Sequence, residues 1–310
     1  MLFHTSKYRE SGFVFAPFDA VQKTVLIPMQ ASNFVSELAD DTIEHHEKSG
    51  YRTIQSAKGS YINLVKKTIE DIKKSTIKKI VVSRKEVLRI ENWNCINTFL
   101  KLLATYKGAM VYMWYHPKIG MWMGATPETL LQVKNSSFLT MSLAGTQVFN
   151  ANTLSWGAKE LEEQQLVTTF IQDQLTPIVK DIKIQERESI RAGNVLHLRT
   201  LISGKFDVQK ASLQTLLKRL HPTPAVCGLP REVAKMFILT KEGYDRKFYT
   251  GFLGEMNLEN TSSFFVNLRC MEIEEKTANL YVGGGITLHS SPEKEWEETQ
   301  LKITTLKNVL

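Results

Sequence analysis

The sequence predicts an α+β fold, because its strands and helices occur in blocks. A run of short apolar segments typical of strands extends to Ala144, whereas amphipathic helical patterns occupy 158–175, 211–220 and 230–238. The strict strand–helix alternation of a doubly wound sheet does not occur. Since no repeat, low-complexity segment or Gly/Ser linker divides the chain, we predict a single domain to which residues 1–57 add short strands and a loop.

The first half is predicted to open with strands followed by a helix. Two apolar segments within 12–28, GFVFAP and VLIP, predict strands, and the polar segment 29–57 predicts a loop. After Ser60, helical spacing is shown by Tyr61, Leu64, Val65, Ile69 and Ile72. The segment KKIVVSRKEVL then predicts a strand, and another helix is predicted near 95–106.

The second half is predicted to combine further strands with the three helices already named and a last one. Strands are predicted near 250–256, 264–273 and 278–282. The last helix is predicted from about residue 292. Blocks of this kind favour a layered α+β domain.

Composition and charge restrict the function. The 310 residues have a formal net charge of +7 and are 43% hydrophobic, as in ordinary globular proteins. No signal peptide or 18-residue apolar span is found, so we expect a cytoplasmic protein without a membrane partner. Lys and Arg are dispersed and form no nucleic-acid-binding motif, and a small anionic partner explains the charge equally well. Cys95, Cys227 and Cys270 lack CxxC spacing and are expected to be free thiols.

Two predicted helices have glutamates on their apolar face. At about 100° per residue, the helix from Ala158 places Glu160 and Glu163 within this face and Glu162 outside it. The apolar residues of that face are Val167, Phe170, Ile171 and Leu175. In the last helix, the apolar face is defined by Leu306, Val309 and Leu310, and it also contains Glu295, Glu298 and Lys302.

These inward carboxylates have two explanations. A carboxylate on a buried face is unfavourable unless it is paired, hydrogen-bonded or bound to a metal. In the first explanation each pair lies at a helix start, where the helix dipole favours anions, and Glu298 forms an i,i+4 ion pair with Lys302. In the second, the carboxylates are oxygen ligands for Mg²⁺, which also binds an anionic substrate. No His or Cys ligands have suitable spacing, so zinc is a poor candidate.

A triple glycine, Gly283 to Gly285, comes shortly before the last helix. It has neither GxGxxG nor Walker spacing and is therefore a weak nucleotide signature. Such a run either lets backbone N–H groups approach a ligand closely or forms a plain bulge or turn at a strand end. Both interpretations stay open at this point.

Ten segments, in order along the chain, resemble the chorismate-utilising enzymes and, among them, the isochorismate synthases. The segments are KIVVSR (79–84), GATPETLL (124–131), LAGT (143–146), EEQQLVT (162–168), VLHLRT (195–200), LHPTPAVCGLP (220–230), DRKFYTGFLG (245–254), NLRC (267–270), GGGI (283–286) and SPEKEWEETQLK (291–302). The resemblance implies one α+β domain of two stacked antiparallel sheets with helices outside. Residues 58–310 would form its chorismate-binding catalytic domain.

The resemblance also implies which residues bind the metal and the substrate. Mg²⁺ would join the ring carboxylate of chorismate to Glu163 and Glu298, while Glu160 and Glu295 would support the metal through water. The residues implied for substrate binding are Thr146, His197, Tyr249, Arg269, Gly283, Gly285 and Lys302. Without the resemblance, the Arg and Lys would be interpreted as members of surface ion pairs, and the His and Thr as polar groups satisfied inside the fold.

Isochorismate formation adds water at ring carbon 2 while the hydroxyl at carbon 4 leaves, so it needs a base and an acid. By resemblance, Lys79 is the base and Glu128 the acid. Anthranilate synthases resemble this pattern but have glutamine at the position of Lys79, and aminodeoxychorismate synthases have lysine at that of Ala144. Salicylate synthases usually differ in the segment matching 220–230. We therefore expect isochorismate as the product, with salicylate synthase as the alternative. No glutamine amidotransferase partner is expected, because the nucleophile is water, and a monomer is expected.

Some positions depart from the family pattern. QVFN follows LAGT where a basic RxRG is usual, and Gln164 replaces a histidine after the metal glutamate. Cys227 and Gly284 stand where glycine and alanine are commoner, and Glu255 where an aromatic residue is often found. These departures leave a non-catalytic chorismate-binding protein as a further alternative. Isochorismate could enter menaquinone or siderophore synthesis, and the lack of accessory domains favours menaquinone.

Overall fold

The structure is a computed structural model that describes residues 1–37, 50–55, 57–149, 155–192 and 195–310. It contains two compact units. The first unit comprises Met1–Val35, Glu128–Val226 and Arg246–Asn267. The second comprises Ser36–Pro127, Cys227–Asp245 and Leu268–Leu310. Each unit is built around its own β-sheet.

Strands and helices are numbered along the chain. The strands are β1 (Phe3–Thr5), β2 (Gly12–Ala16), β3 (Thr24–Pro28), β4 (Tyr51–Gln55), β5 (Lys79–Ile90), β6 (Met110–His116), β7 (Gly120–Thr126), β8 (Thr129–Lys134), β9 (Ser137–Val148), β10 (Val179–Ile184), β11 (Glu188–Ala192), β12 (Val195–Phe206), β13 (Gly228–Leu229), β14 (Phe252–Leu258), β15 (Thr261–Val266), β16 (Cys270–Glu274) and β17 (Thr277–Ile286). The helices are α1 (Lys58–Lys73), α2 (Cys95–Thr105), α3 (Ala158–Leu175), α4 (Leu213–Leu220), α5 (Arg231–Lys241) and α6 (Pro292–Lys307). A 3-10 turn spans Met29–Ala31.

The first unit contains, within its described residues, a ten-stranded antiparallel sheet. Its order is β1-β3-β2-β14-β15-β8-β9-β12-β10, and β11 also pairs with β12. The long strands β9 and β12 pair with each other and support helix α3. The buried face of α3 includes the four residues predicted from periodicity, Val167, Phe170, Ile171 and Leu175. Burial of this apolar face fixes the direction in which the first turns of α3 point.

The second unit contains, in its described part, a seven-stranded antiparallel sheet in the order β13-β5-β17-β16-β7-β6, with β4 beside β5. One face of this sheet is apolar and packs against α6. The cluster there includes Leu88, Met123, Leu280, Val282 and Leu306, all buried. Fully burying a side chain of this size contributes about 1.5–3 kcal/mol, so the cluster holds α6 firmly on the sheet.

The predicted fold class is confirmed, since the described residues form two antiparallel sheets and six helices. Helices are found wherever they were predicted, although α6 ends at Lys307, so Val309 and Leu310 follow it and are buried outside the helix. Cys95, Cys227 and Cys270 are free thiols, as expected. Within the described residues no helix is long and apolar enough to cross a membrane. The single-domain interpretation stays a prediction.

Other expectations were wrong in detail. The loop predicted at 29–57 contains the 3-10 turn and β4, while residues 38–49 lie outside the described part of the chain. The strand predicted at 264–273 is two strands, β15 and β16, because the chain bends between them, where Arg269 has a left-handed φ of 48°. Strands β1 and β10 to β12 were not predicted. In β10, VKDIKI, no residue is buried, so its pattern lacks the apolar signal of a core strand.

Candidate active site

In the first unit, helix α3 begins with the predicted pair of glutamates. Glu160 and Glu163 are half-buried whereas Glu162 is exposed, so the predicted orientation of this helix is confirmed. Glu160 lies in the first turn, where the positive end of the helix dipole favours anions, and Glu163 follows in the second turn.

Gln164, the position of a departure from the family pattern, is the anchor of this helix start. Its side chain is 1% exposed. The amide Nε2 lies 2.7 Å from Ser142 Oγ, 2.9 Å from Thr200 Oγ1 and 3.0 Å from Thr168 Oγ1. The carbonyl Oε1 accepts from Arg187 at 3.3 Å. These bonds tie the residue next to Glu163 to strands β9 and β12, and sequence reasoning did not find them.

Two further predicted residues meet across β9 and β12. His197 is buried, and its Nδ1 lies 2.9 Å from the carbonyl oxygen of Gly145 and 3.3 Å from Thr146 Oγ1. A carbonyl oxygen only accepts, so Nδ1 is the donor in this contact. The structure thus brings Thr146 and His197 together and directs the Nδ1 proton to the Gly145 carbonyl.

Glu128 and Tyr249 are the other predicted residues of the first unit, and both are 3% exposed. The carbonyl of Glu128 accepts from the Val266 N–H at 2.9 Å, which fixes its backbone beside β15. Tyr249 lies in a turn that is held by Arg246, whose guanidinium donates to the Val226 carbonyl at 3.0 Å and lies 5.6 Å from the Tyr249 ring centre. Both side chains therefore sit on well-supported backbone.

In the second unit, Lys79 is the first residue of β5 and is fully buried. It pairs with Leu229 of β13. A Cβ on the preceding Gly228 would lie 2.3 Å from the Lys79 carbonyl oxygen, so this close strand contact requires glycine. Removing a lysine side chain from water is energetically costly, so the burial of Lys79 suggests a functional role for its amine.

The triple glycine lies in β17, directly beside β5. Gly283 is opposite Ser83 and Gly285 is opposite Val81, so both glycines share the sheet face of Lys79. Gly284 points to the opposite face, where an added Cβ would lie 3.0 Å from Glu295 Oε2. The run is thus a regular strand segment whose middle glycine admits the carboxylate of α6.

The glutamates of α6 have the predicted orientation. Glu295 is 2% exposed and accepts from Ser290 Oγ at 2.7 Å, and Glu298 is half-buried. Lys302 Nζ lies 2.5 Å from Glu298 Oε1 and donates to the Gly283 carbonyl at 3.2 Å. The i,i+4 ion pair of the first explanation is therefore present, and it also connects α6 to the glycine strand.

A buried charge network fastens the rest of α6 to β5. The Arg84 guanidinium bonds Thr299 Oγ1 at 2.9 Å and Glu86 at 2.8 Å, and it lies 4.4 Å from the Trp296 ring centre. Glu86 also pairs with Lys307. Burial alone would raise the pKa of Glu86, but Lys307 and Arg84 outweigh it and hold the pKa below its ordinary value. Arg84 is the last residue of the motif KIVVSR, but nothing in the sequence indicated that it contacts Thr299, Glu86 and Trp296.

A second polar cluster lies on the sheet face of Lys79. Tyr281 donates to Glu272 at 3.0 Å and stacks on Trp122 with ring centres 5.3 Å apart. Burial, with the nearby charge of Glu272, raises the pKa of Tyr281. Burial likewise raises the pKa of the Cys270 thiol well above its ordinary value, which agrees with a thiol that has no chemical role.

Arg269 precedes β16 and is half-buried. Its φ of 48° lies in the left-handed region, which costs a residue with a side chain roughly 1–2 kcal/mol. Its carbonyl accepts from the Ala125 N–H at 3.1 Å, and this bond holds the unusual backbone in place. Strained backbone of this kind is often found at functional sites.

Within the described residues, no three His, Cys, Asp or Glu side chains form a group that could hold a metal ion. The predicted Mg²⁺ ligands therefore stay a prediction. What the structure does place together is Thr146 with His197, and Glu298 with Lys302 and Gly283.

Comparisons with known proteins agree with the motifs. The family described as chorismate binding enzyme matches residues 14–310. The isochorismate synthase DhbC of Bacillus subtilis is 28% identical over 94% of this chain and 78% of its own length. EntC of Escherichia coli, also an isochorismate synthase, is 32% identical over 61% of the chain, which spans only 51% of EntC. The crystal structure of a putative 2,3-dihydroxybenzoate-specific isochorismate synthase, DhbC from Bacillus anthracis, has a TM-score of 0.84 at 27% identity and covers 96% of this chain and 83% of its own.

Proposed function

The chain belongs to the chorismate binding enzyme family, and from this premise we propose that it is an isochorismate synthase. It would add water at ring carbon 2 of chorismate with loss of the hydroxyl at carbon 4. The observation that supports this most directly is that relatives similar over most of the chain are named isochorismate synthases. The reaction is an isomerisation, so it needs no second substrate beyond water.

Lys79 is proposed as the base that activates water, and Glu128 as the acid that protonates the leaving hydroxyl. Lys79 is fully buried at the start of β5, and Glu128 is 3% exposed. Both groups are thus shielded from bulk water, which favours proton transfer to a bound substrate over exchange with solvent. Each is fixed by backbone bonds to a neighbouring strand.

The substrate is a dicarboxylate, and cations and donors of the chain are proposed to hold it. Arg269 suits a carboxylate because its planar guanidinium can bond both oxygens. Tyr249 and the glycines Gly283 and Gly285 are proposed to complete that carboxylate site, while Lys302 supplies a further cation. The Nδ1 proton of His197 is donated to the Gly145 carbonyl. His197 would therefore contact the substrate ring through Nε2, with Thr146 beside it.

Mg²⁺ is proposed as the cofactor. Carboxylate oxygens are the donors that Mg²⁺ prefers, and the two pairs Glu160/Glu163 and Glu295/Glu298 offer them on half-buried or buried helix faces. Glu163 and Glu298 would bind the metal directly, and Glu160 and Glu295 through water. When bound, the ion would neutralise the ring carboxylate of the substrate.

A cytoplasmic monomer without an amidotransferase partner completes the proposal. Three free thiols suit a reducing compartment. Water, rather than ammonia, is the proposed nucleophile, so no ammonia-supplying subunit is needed.

The test is to incubate the purified protein with chorismate and MgCl₂, with or without EDTA, and to separate the products by chromatography. Isochorismate that disappears with EDTA is expected. Lys79→Ala should abolish it, whereas Lys78→Ala, a change at the exposed neighbouring lysine, should not. Salicylate with pyruvate would identify a salicylate synthase instead, and binding of chorismate without turnover would identify a non-catalytic family member.

A further inference from the structure

The second unit contains a cleft that none of the residues predicted for catalysis, substrate binding or metal binding lines. It has a volume of about 480 Å³ and lies between helix α1, strand β5 and the turn that follows α5. Ligand-binding clefts have volumes of roughly 300–1,000 Å³. The cleft is therefore large enough for a small metabolite.

The cleft exists because strand β5 lacks a partner strand along its middle. At one end of β5, β13 pairs as far as Ile80 and the Val81 N–H bonds the Cys227 carbonyl at 2.7 Å. At the other end, pairing with β4 starts at Val87. Between these points no strand of the described chain covers this edge. The gap is bounded at both ends, which suits a small molecule better than a long peptide.

The protein's own carboxylate shows how this edge holds an anion. Glu242 Oε1 accepts from the Ser83 N–H at 2.5 Å and from the Ser83 hydroxyl at 2.8 Å. The Tyr244 hydroxyl lies 2.5 Å from the same Ser83 oxygen. The negative charge of Glu242 is thus held at the strand edge, and the remaining charged side chains around it are cationic.

Three lysines, Lys67, Lys85 and Lys241, line the cleft. In the described structure none of them forms an ion pair with an acidic side chain, whereas Arg84, which also lines it, is paired with Glu86. With Glu242 counted, the lysines leave a net charge of about +2 around the cleft. Neighbouring Ser60 and Asn63 add uncharged hydrogen-bonding groups.

We propose that this cleft is a second ligand site, which binds a small dianion such as a dicarboxylate or a phosphate monoester. The lysines contribute the charge complementarity, and the bounded strand edge sets the size. The inference does not depend on the proposed synthase activity, because none of the residues proposed for chorismate, Mg²⁺ or proton transfer lines the cleft.

The test is isothermal titration calorimetry of the full chain at low ionic strength, with inorganic phosphate and, separately, succinate as probes. Saturable binding of at least one probe is expected. Lys67→Gln and Lys85→Gln should each weaken it by about fivefold or more, since each removes a charge-assisted hydrogen bond. Lys66→Gln is the matched control, because Lys66 is an exposed lysine of α1 outside the cleft. Tighter binding of phosphate than of succinate would identify a phosphate ester as the ligand class.

Three results would overturn the proposal. One is that neither probe shows saturable binding. Another is that Lys66→Gln weakens binding as much as the cleft variants, which would indicate diffuse surface charge. The third is loss of binding in Arg269→Ala, which would assign the anion to the proposed substrate site. Circular dichroism of each variant shows whether it is folded, and Lys241→Gln provides a further cleft variant if one of the others is not.

Discussion

Replacing Glu86 with glutamine is expected to destabilise the protein by about 3 kcal/mol at neutral pH. The side chains of Glu86 and Arg84 are 5% and 2% exposed, so the charge left on Arg84 would be buried without its counter-ion. Lys307 would lose the same partner. Breaking a buried pair by removing one member costs roughly 3–5 kcal/mol, and the lower end applies because glutamine still offers Arg84 an acceptor oxygen.

The loss of stability caused by Glu86→Gln is expected to become smaller as the pH is lowered. The pKa of Glu86 is lowered in the folded state from an ordinary value of 4.5. A depressed carboxyl pKa contributes stability above the unfolded value, and this contribution is lost as the pH falls through the folded pKa. The difference in the free energy of unfolding between wild type and Glu86→Gln is therefore largest at neutral pH, and it decreases as the pH falls below 4.5.

Urea denaturation followed by tryptophan fluorescence measures this difference, since Trp296 lies against Arg84. At about 3 kcal/mol per M of urea, the expected loss lowers the midpoint by about 1 M. Glu91→Gln is the matched control, because the Arg89–Glu91 pair is 3.5 Å apart with side chains 48% and 73% exposed, and such pairs contribute less than about 1 kcal/mol. A midpoint change for Glu86→Gln no larger than the control's, or one that is the same at acidic pH, would refute the reasoning.

Three other predictions concern the site. Lys79→Ala is expected to lower the rate of isochorismate formation by at least about 10²-fold, as for loss of a general base, and a steady-state assay showing near-normal turnover would remove Lys79 from that role. EDTA is expected to stop turnover and to lower the thermal denaturation midpoint, since an ion that binds only the folded state stabilises it. The metal-free protein should still be folded, because Lys302 pairs with Glu298, and an unchanged midpoint would contradict the proposed metal site. Gln164→Leu is expected to cost about 2 kcal/mol in urea denaturation, since buried hydroxyls lose their partner, whereas Gln165→Leu, at the exposed neighbour, should cost little; equal effects would contradict the anchoring role.

Much of the fold could be predicted because local patterns decide it. The apolar period of α3 predicted both its bounds and the side on which Glu160 and Glu163 lie. The same period oriented Glu295 and Glu298 in α6, and the i,i+4 spacing predicted the ion pair with Lys302. Edge strands such as β10 were not predicted, because an exposed strand needs no apolar alternation.

The supports of the site could not be predicted, because they join residues far apart in sequence. Arg84 meets Thr299 across 215 positions, and no local spacing indicates such a contact. Gln164 was noticed only as a departure from a family pattern, and its polar role depends on strands β9 and β12 lying beside α3. Which charges are compensated inside a protein is decided by tertiary packing.

The triple glycine of β17 also bears on strand register. Side chains alternate between the two faces of a strand, so slipping β17 by one residue against β5 would exchange every face. Within Gly283 to Gly285 such a slip would leave glycine at two of the three positions, so the run itself specifies the register only weakly. The register is instead specified just upstream, where Leu280 and Val282 are buried in the apolar cluster and Tyr281 bonds Glu272 on the other face. A glycine segment that specifies its own alignment only weakly is thus aligned by three neighbouring residues, and Tyr281→Leu would weaken that alignment.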